Sequence, residues 1–118
     1  MKILVCGSRT WVETEKIRNR LMNLFLDAPA GSRFKVIHGG AAGADALAGH
    51  EALRLGMRTR SFPADWKRYG KRAGIVRNLQ MLDENPDLVL AFWDGSSIGT
   101  KHTIDEAKKR RISVEIIR

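Results

Sequence analysis

Two rhythms of apolar residues alternate along the chain. Short, nearly continuous runs at Lys2–Cys6, Phe34–His38 and Leu88–Trp93 predict strands. Met57–Phe62 and Ser113–Ile117 predict two more, more mixed in polarity. Between them lie stretches in which apolar residues fall three or four apart, the spacing of one helical face. Thr14–Leu26 is the first, with Ile17, Leu21, Leu24 and Phe25 on its apolar side, and Asp45–Leu55 is the second, stopped by Gly56. Lys71–Glu84, with Ile75, Leu79 and Leu82, and Thr100–Arg111 complete the set. Pro63 ends the third strand.

Strict alternation of strand and helix, with central strands apolar on both sides, predicts a parallel sheet covered on both faces. The expectation is an α/β fold: a single Rossmann-like, doubly wound domain over residues 1–118, with a mainly parallel five-stranded sheet and helices on both faces. A chain of 118 residues buries one core. Ligands of such sheets lie beyond the carboxyl ends of the strands, so chemistry is sought in the strand-to-helix loops.

Composition narrows the class. A hydrophobic fraction of 43% and a charged fraction of 29% are ordinary for a globular protein. No apolar run nears the roughly 20 residues of a membrane span. The opening Met1–Gly7 reads as a buried strand rather than a secretion signal, so a cytoplasmic protein with no membrane partner is expected. Cys6 is the sole cysteine, which excludes an internal disulfide and a multi-cysteine zinc site; no metal and no cofactor are expected. The net charge of +8 suits phosphate-bearing partners but equally suits a solvated surface.

The strand-to-helix loops carry the candidate residues. They are Gly7-Ser8-Arg9-Thr10-Trp11, Gly39-Gly40-Ala41-Ala42-Gly43-Ala44-Asp45, Pro63-Ala64-Asp65-Trp66, and Asp94-Gly95-Ser96-Ser97-Ile98-Gly99-Thr100. The opposite turns, such as Asp27–Arg33, are plain connectors. Gly39–Gly43 and Gly95–Thr100 open helices, where bare amides and the helix dipole attract an anion. Neither loop is a Walker or G-x-G-x-x-G motif, and glycine also serves tight strand–helix packing. Asp45 occupies the place of a helix N-cap. Arg77, set among apolar residues, is expected to reach a phosphate through its bidentate fork, the alternative being a bond to carbonyls of a neighbouring loop such as Trp66–Gly70. Trp11 and Trp66 offer faces on which a base can stack.

Four ordered stretches, V-C-G-S-R-T-W, I-H-G-G-A-A-G-A-D-A-L-A, P-A-D-W-x-x-x-G-x-x-A-G-x-x-R-N-x-x-M and A-F-W-D-G-S-S-I-G-T, resemble the YspA-like family of the SLOG superfamily over nearly the whole chain. The resemblance implies a Rossmann-like domain binding nucleotides or nucleotide-derived small molecules, in bacteria or their phages. LOG-type phosphoribohydrolases belong to the same superfamily, and Arg77-Asn78 and Gly95–Thr100 are similar to their R-K pair and glycine–threonine loop. Three residues after Thr100 those enzymes have glutamate; here stands Thr103, which has no carboxylate for glycosidic cleavage.

The leading expectation is therefore a sensor or carrier that binds a nucleotide-derived small molecule, its phosphate at the glycine-rich loops. A nucleotide-processing N-glycosidic hydrolase comes second and a nucleic-acid-binding protein third; self-association stays open. The expected ligand-binding set is Gly7, Ser8, Arg9, Trp11, Gly39, Gly40, Ala41, Gly43, Asp45, Asp65, Trp66, Arg77, Asn78, Gly95, Ser96, Ser97, Gly99 and Thr100.

Overall fold

In a computed structural model that describes residues 1–118, five strands form one wholly parallel sheet in the order β3-β2-β1-β4-β5. The strands are β1 (Lys2–Gly7), β2 (Lys35–His38), β3 (Arg58–Ser61), β4 (Leu88–Phe92) and β5 (Ser113–Ile117). The helices are α1 (Thr14–Asp27), α2 (Ala44–Arg54), the short α3 (Trp66–Tyr69), α4 (Ala73–Leu82) and α5 (Ile98–Lys109).

Successive side chains of a strand point to opposite faces, so each central strand feeds two cores. Ile3 and Val5 join Val36, Leu90 and Phe92 in a core covered by Ile17 and Leu21 of α1 and Ala44, Ala48 and Ala52 of α2. Leu4 and Cys6 join Ile37, Val89 and Ala91 in a second core under Met81 and Leu82 of α4 and Ile104 and Ala107 of α5. This is the doubly wound arrangement the alternation predicts. β3, at one edge, carries exposed Arg58 and Arg60, charges that discourage edge-to-edge pairing.

Most element ends fall within a residue or two of expectation. Gly56, at φ +79°, terminates α2 as the sequence predicts. The Gly56 and Met57 amides donate back to the Leu53 and Ala52 carbonyls, at 3.0 and 2.9 Å. Two boundaries are corrected. The predicted helix Lys71–Glu84 starts at Ala73, because Gly70–Arg72 wind as a 3-10 turn after α3. Gly70 makes that junction at φ +58°. The last helix starts at Ile98 rather than Thr100, because the Ser97 hydroxyl caps it.

Candidate functional site

Strand order reverses between β1 and β4, so the loops leaving these strands diverge and open a crevice at the carboxyl edge of the sheet. A cleft of about 420 Å³ fills it. Its lining comprises Cys6, Gly7, Ser8, Arg9 and Thr10 from β1 and its loop, Asp94, Ser96 and Ser97 from the β4 loop, and Gly99, Thr100 and Thr103 from α5. Ala41 and Asp45 close it on the α2 side; Arg77, Asn78 and Met81 reach in from α4.

The β4 loop is shaped by its own aspartate. Asp94 accepts the Ser96 amide at 2.8 Å, the Ser96 hydroxyl at 3.0 Å and the Ser97 amide at 3.3 Å. Those bonds, the Ser96 amide foremost, hold the exposed Asp94 carboxyl below the usual range. The amides of Ser96 and Ser97 are thus engaged within the loop. The Asp94 amide donates to the hydroxyl of buried Ser8 at 3.1 Å, tying the two loops together. Ser97 Oγ takes the Thr100 amide at 3.4 Å, and the Lys101 amide donates to the Ser97 carbonyl at 3.1 Å. That leaves the first-turn amides of Ile98 and Gly99 with no acceptor in the protein, at the positive end of α5.

The glycine-rich loop is organised differently from expectation. Asp45 is not the N-cap of α2: Gly43 holds that position, and Asp45 lies in the first helical turn. From there its Oδ2 reaches back to accept the Gly39 amide at 3.0 Å and the Ala41 amide at 3.4 Å, while the Gly40 amide donates to His38 Nδ1 at 3.0 Å. Two of the loop's amides therefore close on a carboxylate that the chain itself supplies. Asp45 is buried. Desolvation raises its carboxyl from 3.8 to about 6, outweighing the nearby Arg77 guanidinium and the two amides. Burial, with the Asp45 charge added to it, pushes the Cys6 thiol well above its ordinary range, so it rests in the cleft lining as a neutral thiol. Burial also lowers the His38 pKa, matching a neutral ring that accepts at Nδ1.

Arg77 spans the loops. Nη1 donates to the Gly39 carbonyl at 2.7 Å and, at a long 3.5 Å, to that of Phe62, and Nε donates to Asn78 Oδ1 at 3.0 Å. The carbonyls it binds belong to Gly39 and Phe62, not to Trp66–Gly70. Burial lowers its pKa more than Asp45 raises it, so both charges are held in the fold at a net desolvation cost. Nη2 has no partner in the protein and lies with Arg77 on the cleft wall. Asn78, buried, carries its Nδ2 to the Gly99 carbonyl at 3.3 Å and so ties α4 to the start of α5. Thr103, fully buried, donates its hydroxyl to the same carbonyl at 3.3 Å.

Glycine has steric reasons at three predicted positions. A Cβ on Gly7 would lie 2.3 Å from the Phe92 carbonyl oxygen, and one on Gly39 would lie 2.3 Å from Arg77 Nη1. Gly43 has φ +75°, and its Cβ would meet the Ser8 and Arg9 carbonyl oxygens at 2.4 Å.

Of the expected set, Gly7, Ser8, Arg9, Ala41, Asp45, Arg77, Asn78, Ser96, Ser97, Gly99 and Thr100 meet in the cleft. Gly39, Gly40 and Trp66 line a neighbouring groove of about 310 Å³ that shares Arg9, Ala41 and Arg77 with the cleft. Trp11 is buried in the α1–α2 core, edge-on to Phe92 with centroids 5.6 Å apart. Asp65 lies outside both, capping α3 through the Arg68 amide at 3.1 Å, and Gly95 lines neither. Cys6, Thr10, Met81, Asp94 and Thr103 line the cleft without having been in that set. Thr10 and Asp94 sit in loops already singled out, whereas the apolar neighbours of Cys6 and Met81 mark only core. No three His, Cys, Asp or Glu side chains gather as metal ligands, and no helix is long and apolar enough to cross a membrane.

Comparison with known proteins agrees with this architecture. The X-ray structure of DNA processing protein A (DprA) from Streptococcus pneumoniae superposes with a TM-score of 0.78 at 19% identity, over 99% of this chain and 50% of that one. The X-ray structure of TM1055 superposes with a TM-score of 0.67 at 21% identity, over 96% of this chain and 71% of that one. The chain thus spans half the length of the pneumococcal protein, and at these identities the likeness is one of fold. The Gene 61 protein of Mycobacterium phage D29 is 38% identical over 120 residues, covering 96% of this chain and 93% of its own length. The family described as YspA, cpYpsA-related SLOG matches residues 1–69. A family match over more than half the chain, with a phage relative alike over nearly its whole length, makes this chain a member of the YspA, cpYpsA-related SLOG family.

Proposed function

We propose that the chain binds a nucleotide or nucleotide-derived small molecule as a sensor or carrier, with a phosphate held at the amino end of α5. The observation that carries this reading is the pair of unpartnered amides, Ile98 and Gly99, beside a cleft at the strand-order reversal. Arg9, the free Nη2 of Arg77 and the hydroxyls of Thr10 and Thr100 surround the same space, supplying charge and donors of the type phosphate oxygens accept. In the glycine-rich Gly39–Gly43 loop, Asp45 and His38 engage the amides of Gly39, Gly40 and Ala41, and those of Ala42 and Gly43 have no acceptor in the protein. Fewer of that loop's amides are open to an anion than the sequence suggests.

A hydrolytic reading has one supporting observation, the Asp45 carboxyl at about 6, close to a working pH for proton transfer. It is the weaker reading because Asp45 Oδ2 is committed to two loop amides and Thr103 stands where the related hydrolases have glutamate. Nucleic-acid binding, in line with the name of the pneumococcal neighbour, draws support from the basic segment Lys67, Arg68, Lys71 and Arg72, all exposed.

Gly99→Val tests the phosphate site. A Cβ at Gly99 meets nothing within 4 Å inside the protein, so the fold tolerates it, and Gly99 lines the cleft proposed to hold the anion. Calorimetry with pyrophosphate, AMP and ADP is expected to show binding to the wild type and a loss of about tenfold or more in the variant, at unchanged melting temperature. Equal affinities in the two folded proteins would refute the site. The same incubations, analysed by chromatography, are expected to contain no free base.

A further inference from the structure

We infer that the groove beside the cleft is a base subsite: the ligand is a nucleotide whose planar base stacks on Trp66 while its phosphate lies in the central cleft. The inference rests on the phosphate site proposed above and specifies how the rest of the ligand is held. Trp66 stands at the start of α3 with 55% of its surface exposed. It is a large apolar ring left in water at the sheet edge where ligands bind. The other two tryptophans are already engaged within the fold. Trp11 is buried with Lys16 over its ring, and Trp93 donates its indole N–H to the Ser97 carbonyl with Arg118 over its ring. No cation of the protein covers Trp66, whose indole edge lies 3.9 Å from the space a Cβ on Gly74 would take.

The groove floor accounts for the rest of the bare loop. Arg77 fills the space beside Gly39, and the Ser8 and Arg9 carbonyls fill that beside Gly43. Gly40, Ala41 and Ala42 remain, and they line the groove together with Pro63, Ala64 and Trp66. Small residues sharing a groove with an exposed indole leave a slot suited to a flat group. Arg9, Ala41 and Arg77 line both groove and cleft, so the two spaces adjoin, with two guanidinium groups at the junction. A flat, uncharged base on the Trp66 side and an anion on the α5 side, joined by a sugar past Arg77, match this sequence of surfaces. Stacking is tolerant of base identity, since every base presents a π face.

The test is titration of the whole chain with the four common 5′-ribonucleoside monophosphates and with ribose 5-phosphate, which keeps sugar and phosphate but lacks the base. At least one nucleotide is expected to bind tighter than ribose 5-phosphate. Trp66→Ala is expected to weaken that nucleotide by about tenfold and to leave ribose 5-phosphate within about twofold, with melting unchanged because the side chain is largely exposed. Trp66→Phe, which retains an aromatic face, is expected to recover most of the loss. If Trp66→Ala leaves nucleotide and ribose 5-phosphate affinities both unchanged, the base subsite is wrong and the phosphate site stands. If neither nucleotides nor ribose 5-phosphate bind, the phosphate site fails and this inference falls with it. Equal weakening of both ligands with lowered melting assigns Trp66 a structural role and overturns the subsite. Trp66-dependent binding of a single-stranded oligothymidylate, without mononucleotide binding, overturns it in favour of a nucleic-acid surface.

Discussion

Replacing Asp45 with asparagine isolates the electrostatic cost of the buried carboxylate. In the fold its carboxyl titrates at about 6 rather than 3.8, chiefly through desolvation. At about 1.4 kcal/mol per tenfold change in proton affinity, the difference amounts to about 3 kcal/mol between the protonated and ionised forms. Between these two values the folded protein holds a proton that the unfolded chain has released, so stability falls as pH rises through the window and levels off above it. Asparagine keeps an oxygen for the Gly39 and Ala41 amides but does not titrate. Any fixed cost of its NH2 group is the same at every pH and drops out of the comparison. So do the opposing slopes of His38, whose lowered pKa removes stability as pH falls, and of Glu51, Asp94 and Asp105, whose hydrogen-bonded carboxyls act in the same direction. Urea unfolding of both proteins, followed by tryptophan fluorescence between about pH 4 and 7, measures the difference directly. The variant is expected to gain on the wild type by about 2.4 kcal/mol across that range, nearly all of it below about pH 6.5, the remainder of the roughly 3 kcal/mol falling below about pH 4. A difference that stays flat, or that moves against the variant as pH rises, would falsify the assignment of Asp45 as a carboxylate held at a desolvation cost.

Two further substitutions probe the loops. Arg77→Lys keeps the charge but cannot span Gly39, Phe62 and Asn78 together, so the free protein is expected to lose about 1–3 kcal/mol and melt several degrees lower in a thermal scan. Unaltered melting would return Arg77 to a purely ligand-directed role. Gly43→Ala places a Cβ against two carbonyl oxygens at a positive φ and is expected to cost more than about 1 kcal/mol by urea unfolding. A neutral result would mean that the β1 and β2 loops can separate without loss.

Part of this organisation was legible in one dimension. The strand and helix rhythms follow from local periodicity, and each central strand's alternate residues do enter separate cores. Gly56 as a helix stop is equally local, since a residue with positive φ is needed one step past the helix. That the strand-to-helix loops share one edge came from the parallel sheet alone, whose loops of one kind all emerge together, and there they line a common cleft.

What the loops do to one another was decided only in three dimensions. Strand order places β4 beside β1, so Ser8 meets the Asp94 amide from 86 residues away, and no periodicity encodes that pairing. Asp45 fits the composition of an N-cap, a local pattern, but the Gly43 backbone must pass the Ser8 and Arg9 carbonyls, so the helix starts at Ala44 and the carboxylate turns back into the loop. Arg77 finds its main acceptor at Gly39, 38 residues away, just past the carboxyl end of β2. Periodicity records which side of an element is buried; it carries no record of what is buried against it. That second relation comes from chain crossing and close packing between distant segments, and it determines which amides stay free at this edge.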